Sequence, residues 1–344
     1  MTSRASKESE RLRKIVDAFP RLRVTVLGDL VADEFLLGEI SRVSREAPVL
    51  ILRHRQRTLV PGGGGNAINN LADLGVKVLP VGWLGNDEAG RLLLATFRHK
   101  RIPVRGIITA KDLATVTKTR ILAGLPHTWR QQVVRIDREP DAMPNRHLSR
   151  ELAWAARQYL RASDALLVSD YGYGAATPAI LRAACQGRRR QMPVVLDSRH
   201  RLLEFSGVTA ATPNEAEVEE VLDITIGHNW KRLCSAGQEI TSRMKLKSLV
   251  ITRGHDGMVA FAGKQKPVDI PIFGGDEVTD VTGAGDTVIA TFTAALDAGG
   301  SAKEAAQLAN YAAGIVVMKR GTATVSREEL LRALAQAPPR TVPH

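Results

Sequence analysis

The segment with the clearest chemical content is Asp280-Val281-Thr282-Gly283-Ala284-Gly285-Asp286, followed by the apolar stretch TVIATFTAAL. A helix that starts at these glycines aims unpaired N–H groups, and the positive end of its dipole, at whatever lies before it. Gly283 and Gly285 let an oxyanion approach the backbone more closely than a side chain would permit. Backbone N–H groups across Gly283, Ala284, Gly285 and Asp286 therefore suit a phosphoryl group in transfer. A carboxylate at Asp286 would repel phosphate, so it needs another task, and taking the proton of a hydroxyl is one that fits. A bare GAGD run is equally well explained as a glycine turn with Asp286 capping a helix. Its weight comes from what accompanies it.

Four consecutive glycines, Gly62 to Gly65, precede Asn66 and a helical pattern in Ile68, Leu71, Ala72 and Leu74. This is either a flexible turn or a place where backbone meets a ligand, with Gly63, Gly64 and Asn66 as the contacts. Asp33 follows the first strand, where an Asp is ordinarily a loop residue or a cap. Asn214 and Glu217 lie three apart on a predicted helix and share a face. Thr252, Arg253 and Gly254 follow a strand, at the edge of a nucleotide pocket. Asn310 and Ala313 fall on a late helix, where adenine contact and core packing are both open. Lys118 and Arg120 share one face of a predicted strand and are candidates for a substrate phosphate. The GGGGN run lacks the GKS/GKT ending of a P-loop, no GxGxxG follows the first strand, and the eight histidines form no HxxxH or HxH pair.

These residues need a scaffold, and its pattern is legible. RVTVLGDL at Arg23–Leu30 reads as a buried strand, Val49–His54 and Thr58–Val60 as short strands about a polar turn, and Val76–Gly82 as another strand. Asp87-Glu88 opens a helix to about Lys100. Thr115–Leu122 and Gln131–Ile136 alternate as exposed antiparallel strands do, placing Gln131 and Arg135 on one face and Gln132 on the other. From Ala165 onward strands and helices alternate, through ALLVSD, TPAILRAACQG, PVVLDS, Asn214–Leu222 and SLVITRG. The fold class is α/β, a three-layer α/β/α sandwich with a mostly parallel central sheet and a small antiparallel lid. The expected organisation is an N-terminal helical extension over 1–20, one domain over 21–336 with its lid at about 35–60 and 103–137, and a disordered tail over 337–344.

Composition sets outer bounds. The 344 residues hold 48 Lys+Arg against 36 Asp+Glu, a net +12, which favours anionic partners. The arginines are spread along the chain and only 4% of residues are aromatic, so nucleic acid is not expected; the run Arg188-Arg189-Arg190 reads as a solvated helix face. No apolar run approaches membrane-spanning length, and the first twenty residues lack the apolar centre of a secretory signal. Cys185 and Cys234 form no cluster, which argues against a disulfide framework. The expectation is a cytoplasmic protein without membrane partners.

The run DVTGAGDT resembles the signature of the ribokinase-like (PfkB) sugar kinases. Gly28-Asp29-Leu30-Val31-Ala32-Asp33 resembles that family's first strand and sugar-binding carboxylate, and Gly62–Asn66 its sugar loop. Thr212-Pro213-Asn214-Glu215-Ala216-Glu217 resembles its NxxE motif. Within the family, SRVSREAPVLIL, PGGGGNAINNLADLG, QQVVRIDRE, VSDYGYGA, TPNEAEVE and GTATVS resemble the kinase half of the bacterial heptose enzymes. Those enzymes phosphorylate the anomeric oxygen of D-glycero-β-D-manno-heptose 7-phosphate. The resemblance implies ATP with Mg2+ as cofactors, the magnesium ordered through water by Glu217 beside Asn214. It also implies K+ or another monovalent cation at Asp280 and Thr282, sugar hydroxyls held by Asp33 and Asn66, and a homodimer joined through the lid sheets. The branch carries lysines where this chain has Tyr173 and Arg199; Arg199 is the candidate to keep a phosphate contact. No nucleotidyltransferase region follows, so within this branch a stand-alone kinase is expected.

Overall fold

The computed structural model describes residues 2–124, 131–188, 191–263, 265–274 and 279–336. The tail at 337–344, and Arg189 and Arg190 of the arginine run, lie outside the described residues. Thirteen strands and ten α-helices follow in chain order among the described residues. They are α1 (Thr2–Ala18), β1 (Arg23–Gly28), β2 (Leu30–Val43), β3 (Leu50–Gly63), α2 (Gly64–Asp73), β4 (Lys77–Gly85), α3 (Glu88–His99) and β5 (Ile107–Ala110). Next come β6 (Thr117–Gly124), β7 (Gln131–Arg138), α4 (Arg146–Leu160), β8 (Ala165–Asp170), α5 (Pro178–Ala184), β9 (Val194–Ser198) and β10 (Ala210–Ala211). The chain continues through α6 (Glu215–Leu222), α7 (Trp230–Arg243), β11 (Ser248–Thr252), β12 (Met258–Ala262) and β13 (Val268–Ile270). It closes with α8 (Ala284–Asp297), α9 (Ala302–Val317) and α10 (Arg327–Gln336).

The large sheet runs β13-β12-β11-β10-β9-β8-β1-β4-β5. It is parallel from β5 through β11 and antiparallel only at β12 and β13. Its central strands are apolar on both faces because both are covered. Leu167 of β8 joins the core beneath α1, α2, α3, α8, α9 and α10, while Leu166 and Val168 join the core beneath α4, α5, α6 and α7. This is the three-layer sandwich expected. Its parallel strands end at Gly28, Asp170, Ser198, Ala211 and Thr252, so the residues that follow share one rim.

The small sheet runs β3-β2-β6-β7. It differs from the sequence expectation in three ways. Leu50–Gly63 is one strand, not two around a turn, because its polar middle is exposed on both faces and held by pairing with β2. The long β2 was not foreseen: it passes from a fully buried start to an exposed end and so shows no simple alternation. The central pair β2–β6 is parallel, not antiparallel, and sets Lys118 opposite Asp33 and Arg120 opposite Phe35. The lid expected over 103–137 also begins later, since Ile107–Ala110 pairs with β4 on the edge of the large sheet.

Two further expectations need correction. The N-terminal helix is no mere extension: Ile15, Val16 and Phe19 are buried in the core, and Arg327 of α10 reaches Asp17 at 2.6 Å. Arg188 is not on a helix face; it follows the turn after α5 and donates to the carbonyls of Met192 and Gly207. The backbone carbonyls there outcompete solvent because the turn brings them within reach.

Candidate active site

The start of α8 sits on the rim between the two sheets. Gly283 takes φ +80 as the residue before the helix, and a Cβ on it would lie 2.4 Å from Nδ2 of Asn66. Asp286 is therefore inside the first turn and is not the cap. The Ala284 N–H donates to the Val281 carbonyl at 3.2 Å. Those of Gly283, Gly285 and Asp286 have no acceptor among the described residues. A Cβ at Gly285 would meet nothing within 4 Å, so the approach to these donors is open. An anion fits here without displacing protein atoms.

Asp286 is only 3% exposed. Its Oδ2 accepts from Nδ2 of Asn66 at 3.1 Å and its Oδ1 from the Tyr171 hydroxyl at 2.8 Å. Burial pushes its pKa up to about 7, with the two hydrogen bonds opposing the rise and the Asp33 charge adding to it. That poises the carboxyl to accept a proton near neutral pH. Asn66 is held in turn, since Asn70 donates to its carbonyl at 3.0 Å and its side-chain oxygen at 3.2 Å.

Asp33 lies beside this centre, its Oδ1 accepting from Arg120 at 2.6 Å and its Oδ2 from Thr322 at 2.8 Å. Lys118 is buried, makes no side-chain hydrogen bond among the described residues, and holds Nζ 5.6 Å from the Tyr171 ring and 5.7 Å from the Tyr173 ring. Burial and the nearby charges of Arg135 and Arg199 press its pKa down. Arg199 is exposed, and no ion pair holds its guanidinium among the described residues. Lys118 and Arg199 thus form a cationic flank without an ion pair among the described residues, in the field of the Asp33, Asp137 and Glu217 carboxylates, while Arg120 is occupied by Asp33. Tyr173, in the lysine's place, donates its hydroxyl to Glu139 at 2.7 Å.

On the other flank Asn214 caps α6 in a closed box: its oxygen accepts the Glu217 N–H at 2.8 Å, and Glu217 accepts the Asn214 N–H at 2.9 Å. The pair therefore meets at the helix start, with Glu217 in its first turn. Thr252 bridges to Asn214 in parallel register, and a Cβ at Gly254, with φ +56, would meet open space. Arg253 turns to Glu215 at 3.2 Å. Asn310 is buried and donates to the Pro271 carbonyl at 2.8 Å, and the partly buried Ala313 packs against the core. Asp280 closes the loop before α8, accepting from the N–H groups of Thr282 at 2.9 Å and Gly321 at 3.0 Å.

Four acidic or hydroxyl residues were missed by the sequence reading. Asp29 is buried and accepts three backbone N–H groups, from Tyr171, Tyr173 and Ala175, at 2.8, 3.0 and 2.8 Å. Tyr171 donates its hydroxyl to Asp286. Asp170 ends β8, accepting from Ser198 at 2.7 Å and pairing with Arg201. Asp197 has its charged form disfavoured by burial and by Glu217, Asp286 and Asp170. The available signal was position: each stands at or just past the carboxyl end of a parallel strand. Burial raises the pKa of both Asp197 and Glu217, the Glu217 charge adds to the rise at Asp197, and a divalent cation beside these carboxylates would relieve it, so the residues fit such an ion. No group of three or more His, Cys, Asp or Glu placed to hold a metal ion occurs among the described residues.

An open α/β sheet, an anion-ready helix start and a poised carboxyl beside a small sheet are the parts of a phosphotransferase acting on a hydroxyl. The chain matches the pfkB family carbohydrate kinases over residues 23–329 and belongs to that family; it is an ATP-dependent sugar kinase. It is 38% identical over 330 residues to the bifunctional protein HldE of Gluconobacter oxydans, covering 95% of this chain and 67% of that one. It is 39% identical over 315 residues to HldE of Geobacter metallireducens, covering 91% and 63%. The chain thus spans about two thirds of the length of these relatives. In fold it is similar to Arabidopsis thaliana ribokinase complexed with ribose and ATP (TM-score 0.72, 19% identity, 92% and 99% of the two chains). It is also similar to Escherichia coli phosphofructokinase-2 in complex with potassium (TM-score 0.71, 18% identity, 91% and 98%).

Proposed function

We propose that this kinase transfers the γ-phosphoryl group of ATP to the anomeric hydroxyl of D-glycero-β-D-manno-heptose 7-phosphate. The observation that carries the reading is the pair Lys118 and Arg199, two neighbouring cations near the Asp33 carboxylate that form no ion pair among the described residues. A sugar held at Asp33 and Asn66 that bears a phosphate meets both needs at once. The likeness to HldE supports the same acceptor.

In this reading Asp286 takes the hydroxyl proton, and the N–H groups at Gly283, Gly285 and Asp286 stabilise the transferring phosphoryl. Asp197 and Glu217 hold Mg2+, which supplies neutralisation of nucleotide phosphate charge. Thr252 and Gly254 border the nucleotide, and the small sheet covers the sugar and excludes water. Asp280 and Thr282 are the proposed neighbours of a K+ ion. The need for ATP supports a cytoplasmic setting for the reaction. The exposed Val43, Val49, Leu50, Val133, Val134 and Ile136 of the small sheet support a homodimer joined through these sheets.

The test is magnesium-dependent ADP production with heptose 7-phosphate beside ribose, fructose, fructose 6-phosphate and adenosine. Preference for the heptose phosphate supports the assignment. Turnover only with another acceptor keeps the kinase and moves the substrate, with Tyr173 in the lysine's place as the cause to examine.

A further inference from the structure

Asp286 meets groups from every element around it: Asn66 from α2, Asp33 from β2, Lys118 from β6, Asp197 from β9 and Tyr171 after β8. Among the described residues only Asn66 and Tyr171 hydrogen-bond its carboxyl, one on each oxygen. Asn66 also donates to the Gly283 carbonyl at 3.3 Å and is a sugar contact, so its hold on Asp286 is shared. Tyr171 has no such competing partner among the described residues.

The placement of Tyr171 is over-determined. Its N–H donates to the buried Asp29 carboxylate, which also gathers the N–H groups of Tyr173 and Ala175. Asp29 is tied on its backbone to β8 through Ser169 at 3.0 Å and to α2 through Gly64 at 2.9 Å. The Tyr171 ring lies under the Lys118 ammonium. It also lies against Gly63, where φ is +54 and a Cβ would stand 3.3 Å from the ring. Burial and the Asp286 charge keep its hydroxyl protonated, so it is a donor throughout the working pH range.

We propose that Tyr171 is the positioning residue of the base: its hydroxyl anchors Oδ1 of Asp286 so that Oδ2 faces the acceptor hydroxyl, and Asp29 sets Tyr171 through its backbone. This deepens the reading of Asp286 as the base and rests on it. An unanchored carboxylate would rotate about its Cβ–Cγ bond and present the acceptor with either oxygen in poor alignment. Because binding of sugar and nucleotide uses other groups, the loss falls on kcat.

The test is Tyr171→Phe, which removes one oxygen and keeps the ring, compared with Asp286→Asn and Asp29→Asn by steady-state kinetics over pH 5.5 to about 9, a range spanning the carboxyl's titration. Expected for Tyr171→Phe is a fall in kcat of about tenfold, the scale of one lost hydrogen bond, with KM for both substrates nearly unchanged. The acid limb of the profile should move to higher pH, because a donor to the charged form is gone. Asp29→Asn should reproduce the kcat loss, with circular dichroism checking its fold. Unchanged kcat and an unmoved acid limb in Tyr171→Phe overturn the proposal, as does a loss confined to KM. Near-normal turnover in Asp286→Asn would instead remove the base assignment itself.

Discussion

A Cβ placed on Gly62 would stand 2.3 Å from Oδ2 of Asp33. Gly62 pairs with Val31 and Asp33 with Val60, so the two lie diagonally across the β2–β3 pair, and the carboxylate cannot retreat because Arg120 and Thr322 hold its oxygens. The missing side chain at Gly62 is thus a condition for the position of the sugar-site carboxylate. Gly62→Ala should raise KM for the sugar by roughly 10²-fold, the scale of a misplacement near 1 Å, with KM for ATP unchanged. Initial-rate kinetics with each substrate varied separately would measure both.

The acid side of the pH profile should belong to Asp286. Its pKa of about 7 lies above the usual carboxylate value, so the base is half protonated near neutrality and activity falls as pH drops below that point. Asp286→Asn should lose roughly 10²–10⁴ in kcat, the usual worth of a general base. Sugar binding, followed by calorimetry without nucleotide, should survive.

Glu217 both closes the cap of α6 and faces Asp197, and one substitution separates the two tasks. Gln retains an oxygen able to accept the Asn214 N–H but has no charge. Glu217→Gln should leave the melting temperature nearly unchanged while raising the magnesium needed for half-maximal rate by roughly tenfold. A drop in melting temperature with unaltered magnesium dependence would mean that the cap is its whole contribution.

Removing the cation at Arg199 should discriminate between acceptors. Arg199→Ala should raise KM for a phosphorylated sugar by about tenfold, the loss of one charge-assisted contact, and leave an unphosphorylated acceptor unaffected. Competition kinetics with the two acceptor types gives the ratio directly.

Far from the site, Asp297 ends α8 with burial and the charge of Asp164 raising its pKa to about 7, and its Oδ2 lacks a partner among the described residues. Folding therefore favours the protonated form. The cost of ionisation is full above pH ~7 and is relieved as pH falls toward the unfolded value of ~4. Asp297→Asn should raise the melting temperature at pH 8, and the gain should vanish by about pH 4. Thermal unfolding at the two pH values reads this difference.

How much of this was legible depends on the distance over which each feature is decided. The helix start at Gly283–Gly285, the glycines before α2 and the parallel strands of the large sheet follow from local chemistry: glycine where side chains cannot fit, and continuous apolar runs where both faces are covered. β2 escaped recognition, and β3 read as two strands about a turn, because their polar stretches are strand only through pairing with each other. Asn310 shows what local pattern leaves out, since its hydrogen bond to the Pro271 carbonyl, 39 positions away, is set by the fold.

The sequence by itself determined the family, the order of its motifs, the alternation that builds a covered parallel sheet, and the candidate base. The tertiary structure alone decided the company that base keeps. Asn66 and Asp286 are separated by 220 positions, Tyr171 and Asp286 by 115, and Asp33 and Thr322 by 289. Local propensity acts over a few residues and says nothing about such pairs. They meet because the order of strands in the sheet brings the carboxyl ends of β1, β8 and β9 beside the start of α8, where burial then raises the pKa of a carboxyl that would otherwise be an ordinary acid.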